Sequence, residues 1–201
     1  GITIYLLTTG DSVPMFYGNG YPMIGSFLNP NNYFSDADSL VLREAVPFIF
    51  VLAGLAFIKL IATSITVGSG GAGGLFAPSL FIGAATGGCI GYAVHYLGWF
   101  PNTSPAYLAL VGMAAMVAAT THAPLTAILI VYEVTQSYDV ILPLMFAAVV
   151  STVVARYICR DSVYTFKLTR LGVRMGALSD LTILRRLTPE DIELEKAVIV
   201  K

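Results

Sequence analysis

The chain has 201 residues, 56% of them hydrophobic and 11% charged, with a formal net charge of −1. A soluble domain carries about 25% charged residues, whereas between Leu60 and Tyr138 the only Asp, Glu, Lys or Arg is Glu133. These values exclude a water-soluble fold and argue against nucleic acid as a partner, leaving an all-α polytopic membrane protein.

Residues 1–9 are apolar and end at Gly10-Asp11. No charged region precedes them, so no signal peptide is expected and the chain reads as starting inside a helix. Residues 17–34 are rich in Gly, Asn, Pro and Tyr, which predicts loops with room for one short helix. Ser35-Asp36-Ala37-Asp38-Ser39 carries the side-chain acceptors of a helix start. The helix that follows is predicted over 40–67, ~40 Å long at 1.5 Å per residue and able to cross a bilayer with tilt. Lys59 lies within it, and a lysine there must snorkel or find a buried partner.

Gly68-Ser69-Gly70-Gly71-Ala72-Gly73-Gly74 then breaks the pattern, with five glycines in seven residues. Pro78 restarts a helix, since Pro is favoured in a first turn, and the segment reaches about Leu97. Gly83, Gly87 and Gly91 recur every four residues, a spacing that admits a close neighbour inside lipid. After a loop over 98–105 comes a helix over about 106–119, with Ala114 and Ala118 on one face. Thr120-Thr121-His122-Ala123-Pro124 is a second interruption, followed by helices over 124–134 and 141–157. Several of these fall short of the ~20 residues of a simple span. Short, Gly- and Pro-interrupted helices are typical of transporters with a mid-membrane site. Breaks are expected near 68–75, 98–105, 120–123 and 158–163, with no β-sheet in the membrane part.

The Gly-rich break carries the site argument. Irregular backbone at membrane depth persists only where it is buried in protein or lines a watery cavity. The first N–H groups of the helix that follows have no partner within it, and they sit at the positive end of its dipole. That arrangement suits an anion. Lys and Arg are absent nearby, which fits an ion that must bind and then leave. The competing reading of the same glycines is a packing hinge between two helices.

Gly74-Leu75-Phe76-Ala77-Pro78 resembles the GxFxP motif of the CLC family of chloride channels and chloride/proton antiporters. The longer run from Ser69 to Leu80 is similar to the family's Gly-rich entry into the same helix. Gly112-Met113-Ala114-Ala115, Ala123-Pro124-Leu125-Thr126, Val131-Tyr132-Glu133-Val134-Thr135 and Ile141-Leu142-Pro143 resemble later helix segments of the family, in order. Asp161-Ser162-Val163-Tyr164 is similar to the start of its final membrane helix. The resemblance covers roughly residues 15–175.

The resemblance implies the C-terminal half of a CLC-type, inverted-repeat transport domain with short, broken helices, spanning residues 1–175. It implies chloride, or a similar monovalent anion, as the transported ligand, with no cofactor, no metal and no catalysis. Backbone N–H groups of Leu75 and Phe76 would bind the anion, within the motif completed by Gly74, Ala77 and Pro78. The hydroxyl of Tyr164 would complete the site, donating a hydrogen bond without adding net charge. Glu133 reads either as a structural carboxylate or as a coupling residue. The family's gating and internal proton glutamates, and its serine motif, belong to an N-terminal half that would be missing here. Channel and antiporter both remain open.

The resemblance also implies a homodimer with a pore in each subunit, segments 125–134 and 141–156 contributing to the interface. Arg156, Arg160, Lys167, Arg170 and Arg174 follow the last apolar run, which places the C-terminus in the cytoplasm by the positive-inside rule. Residues 176–201 read as a cytosolic linker toward a CBS-type domain, ending on strand-like Ala197 to Val200 as if cut. His95 and His122 are expected at helix ends, and Cys89 and Cys159 as free thiols. One alternative from another class is an intramembrane serine hydrolase with Ser69 as nucleophile and His122 as base, although the full G-x-S-G pattern is lacking. A cation-coupled transporter would instead need carbonyls and carboxylates at the break, and the sequence places no carboxylate there.

Overall fold

A computed structural model describes residues 17–36, 39–42, 45–71, 73–99, 103–136 and 138–170. The calls on residues 1–9 and on the linker over 176–201 lie outside the described residues. The chain divides into two compact units, Gly1–Ser162 and Val163–Lys201.

Among the described residues of the first unit come, in order, α1 (Tyr21–Leu28), a single 3-10 turn (Pro30–Asn32) and a short antiparallel hairpin of β1 (Phe34–Asp36) and β2 (Ser39–Leu42). In the hairpin Phe34 lies opposite Leu42 and Asp36 opposite Ser39. The helix expected from Leu40 therefore begins later, as α2 (Ala45–Gly68). Pro47 explains the shift. A helix starting at residue 40 would bury Pro47 in its interior, where the ring clashes and a hydrogen bond is lost; from Ala45 it falls in the first turn. The hairpin lies ahead of the apolar span Phe48–Gly68.

Four further helices follow: α3 (Phe76–Tyr96), α4 (Pro105–Thr121), α5 (Pro124–Thr135) and α6 (Ile141–Ile158). These bounds agree with the predicted breaks to within one or two residues. Among the described residues three helices, over Phe48–Gly68, Phe76–Tyr96 and Ile141–Ile158, are long and apolar enough to cross a membrane. The architecture is that of an all-α membrane protein, with α4 and α5 too short for a simple span.

Helix α3 is the centre of the unit. Phe81, Ala84, Ala85 and Tyr92 on it are fully buried, between α2 on one side and α4 on the other. Small residues make this possible. A Cβ added to Gly83 would stand 2.6 Å from the Gly112 carbonyl, and one on Gly91 would stand 2.9 Å from that of Pro105. The four-residue glycine spacing is thus the seam on which α3 and α4 meet, as expected for helices packed by van der Waals contact in lipid. On the far side of α4, Ala114 and Ala118 are fully buried, and buried Thr152 of α6 donates to the Ala118 carbonyl at 3.3 Å. One turn on, Arg156 donates to the His122 carbonyl at 3.0 Å.

Ahead of these helices, Tyr33 is buried with its hydroxyl donating to the Phe27 carbonyl at 2.8 Å, and burial pushes its phenol above the ordinary range. Phe50, Phe57 and Ile65 of α2, and Leu142, Phe146 and Val153 of α6, are exposed. These two helices present apolar faces outward, whereas α3 is the most buried of the three long helices. In the second unit a turn over 163–165 leads into α7 (Phe166–Arg170). There the Thr169 amide donates to the Thr165 carbonyl, and the Arg170 guanidinium lies 4.7 Å over the Phe166 ring.

Candidate functional site

The Gly-rich break is two structures in succession, a helix end and a helix start. Helix α2 closes with the amide of Gly71 donating to the Thr66 carbonyl at 3.0 Å and that of Gly70 to the Val67 carbonyl at 3.2 Å. Gly70 has φ +81°. This is the paired 6→1 and 5→2 bonding of a Schellman motif, whose left-handed residue is most easily a glycine. The terminal carbonyls of Ile65, Thr66 and Val67 are therefore satisfied by the amides of Ser69, Gly71 and Gly70. Gly74 has an ordinary φ and open space where a Cβ would stand. The conformational demand for glycine thus falls on Gly70, four residues ahead of the GxFxP motif.

The start of α3 is the opposite case. Leu75 is its N-cap, at φ −91° and ψ −14°, and its apolar side chain accepts no hydrogen bond. Phe76 and Ala77 are the first helical residues, and Pro78 has no N–H to offer. The first closed bond runs from the Ser79 amide to the Leu75 carbonyl at 3.1 Å. Among the described residues nothing accepts from the N–H groups of Leu75, Phe76 or Ala77. By contrast Ser104 caps α4 with its own side chain, accepting from the Ala106 amide at 3.3 Å. The buried Ser79 hydroxyl donates back to the Phe76 carbonyl at 2.6 Å and stiffens the first turn. The result is a rigid, uncapped helix N-terminus with two or three free donors and the positive end of a helix dipole.

Tyr164 belongs to the second unit, in the turn ahead of α7, and is 54% exposed. Glu133 is exposed on the last turn of α5. His122 is the left-handed C-cap of α4, with φ 59°, and His95 near the end of α3 has Nδ1 3.2 Å from the Thr103 carbonyl. Both histidines occupy the helix ends expected of them. Cys89 and Cys159 are free thiols. The Ser69 hydroxyl donates to the Thr66 carbonyl at 3.0 Å, and no hydrogen bond joins it to His122 among the described residues. The serine hydrolase alternative finds no support in this geometry.

Lys59 is buried and held by a protein partner. It is 3% exposed, and its ammonium donates to the Gly18 carbonyl at 2.7 Å. Sequence reading could not name that partner, because a backbone carbonyl in a distant loop leaves no mark on residue type.

A family model described as voltage gated chloride channel matches residues 1–156. The chain belongs to the CLC family. A putative chloride channel protein ClcB-like from Ralstonia nicotianae is 39% identical over 161 residues, covering 79% of this chain and 33% of its own length. The voltage-gated ClC-type chloride channel ClcB of Escherichia coli SMS-3-5 is 37% identical over 153 residues, covering 75% of this chain and 32% of its own. A slow cyanobacterial Cl⁻/H⁺ antiporter of known crystal structure superposes with TM-score 0.53 at 33% identity, over 84% of this chain and 42% of that one. The chain thus spans about a third of the length of the curated CLC relatives it matches.

Proposed function

We propose that the protein carrying this chain transports chloride or a similar monovalent anion, as a channel or a chloride/proton antiporter, and that this chain supplies one side of its anion site. The observation that carries the reading is the uncapped start of α3, where the N–H groups of Leu75 and Phe76 have no acceptor among the described residues. Neutral donors at a helix dipole hold an anion without the tight grip of a fixed charge. The relatives named as chloride channels, and the solved Cl⁻/H⁺ antiporter, support chloride as the ion. Tyr164 is assigned as a further donor by its match to the family's tyrosine, and Gly74, Ala77 and Pro78 shape the approach. Glu133 stays outside this ion site, with a structural or coupling role.

On this reading the activity is transport and not catalysis. It further needs the N-terminal half of the fold for the remaining ligands. A second copy is the partner, with the exposed apolar residues Leu125 and Leu129 of α5 and Phe146 and Val153 of α6 available to it. The membrane part extends over 1–175. The basic residues from Arg156 onward put the C-terminus in the cytoplasm, with 176–201 leading to a CBS-type domain.

The test is chloride binding by calorimetry and chloride efflux from liposomes, using the full-length protein. Tyr164→Phe should weaken binding modestly, since a hydrogen bond to a charged group is worth roughly 1.5–3 kcal/mol and other donors remain. Unchanged binding in Tyr164→Phe removes that residue from the site. Absence of any chloride binding or flux in the intact wild type overturns the whole reading.

A further inference from the structure

The loop that precedes the proposed site does not by itself hold α3 in place. Gly70, Gly73 and Gly74 lie between α2 and α3 and are exposed, and added Cβ atoms on Gly70 and Gly74 meet nothing within 4 Å. A segment so rich in glycine resists rotation weakly. Something outside the loop must therefore fix the height and rotation of α3 against α2.

One cluster joins the two helices through a third element. The Lys59 ammonium of α2 donates to the Gly18 carbonyl at 2.7 Å and lies 5.3 Å from the Phe81 ring centroid of α3. Gly20, the N-cap of α1, backs onto the same ring, and a Cβ on it would stand 2.8 Å from Phe81. Gly18 and Gly20 have φ +65° and +80°, so the turn between them takes a shape that other residues adopt only with strain. Phe81 is fully buried and meets Phe27 of α1 edge-on at 5.4 Å between centroids. The turn of residues 17–20 is thus wedged between a lysine of α2 and a phenylalanine of α3. Phe81 stands five residues beyond Phe76, ~7.5 Å along the helix axis from the free donors.

We propose that Lys59 is a positioning residue for the anion site: its bond to the Gly18 carbonyl seats the Tyr17–Gly20 turn on Phe81 and thereby fixes where the first turn of α3 points. This rests on the ion site proposed above. A lysine in an apolar span is costly unless it is held by a partner, and here the holding is what joins three elements. The loop is left free to present backbone, while the clamp about one and a half turns along α3 sets its geometry.

The experiment uses the full-length protein in detergent and in liposomes, comparing Lys59→Met, Lys59→Arg and Gly20→Ala. Lys59→Met keeps the stem and removes the donor. It should weaken chloride binding on the order of five-fold, the range for residues that act on a site through packing. It should also speed hydrogen exchange of the bonded amides that flank the free donors, those of Gly70, Gly71 and Ser79. Lys59→Arg keeps a charged donor and should restore most of the affinity. Gly20→Ala pushes on Phe81 with Lys59 intact and should reproduce the loss, so it decides the matter if Lys59→Met does not fold. Wild-type affinity and exchange in a folded Lys59→Met or Gly20→Ala protein would overturn the proposal. A wild type that binds no chloride would instead overturn the ion site, so the two failures are distinguishable.

Discussion

Replacing Gly87 by alanine puts a methyl group into the closest approach of α3 and α4. The new Cβ would collide with the Leu108 carbonyl oxygen and stand 2.9 Å from the Gly112 Cα and 3.1 Å from the Ala109 Cα. Non-bonded carbons settle at about 3.5–4.0 Å, so α4 must retreat by on the order of 1 Å. All three obstacles are backbone, and none can rotate aside. Overpacking of this kind costs about 1–3 kcal/mol, while alanine in a helix interior recovers about 1 kcal/mol over glycine. Backbone atoms cannot yield as side chains do, which puts this collision in the upper part of that range, so the net is a loss of up to about 2 kcal/mol. Gly25→Ala is the control, since that position on α1 is exposed and an added Cβ meets nothing within 4 Å. Only the propensity gain, up to about 1 kcal/mol, operates there. Thermal unfolding of the full-length protein in detergent should place Gly87→Ala below the wild type and Gly25→Ala at or above it. A Gly87→Ala protein as stable as the wild type would refute the glycine seam, and with it the account of how α3 is held against α4.

Gly70→Val should destabilise by about 1–2 kcal/mol, because a β-branched residue is forced to positive φ, whereas Gly70→Asn should be nearly neutral. Equal melting temperatures for the two would show that the left-handed turn is not needed. Thr152→Val removes the hydroxyl that donates to the Ala118 and Ala148 carbonyls. The Ala118 carbonyl keeps its bond from the His122 amide at 3.0 Å, so the loss should stay within about 0.5–1.5 kcal/mol by the same melting assay. Full retention of stability would place no weight on the α4–α6 bond.

Much of this protein was legible in the order of its residues. Hydropathy and the near-absence of charge marked a membrane protein, because lipid tolerates few ionised groups. Gly, Pro and Asn punctuation placed the breaks, since backbone torsion is a local property. The GxFxP run located a helix start, and the four-residue glycine spacing marked a close contact before any partner helix was known. Even the late start of α2 was readable in Pro47, had the Asp- and Ser-rich stretch ahead of it not offered a competing cap. What required the tertiary structure were the relations between distant residues. That Gly83, Gly87 and Gly91 face α4 depends on how two helices cross. That Gly70, and not Gly74, needs glycine depends on the hydrogen bonds closing α2. That Lys59 reaches the Gly18 carbonyl, 41 positions away in the chain, follows from packing alone. A backbone acceptor is identical at every residue, so nothing in residue type records which one a buried ammonium will find.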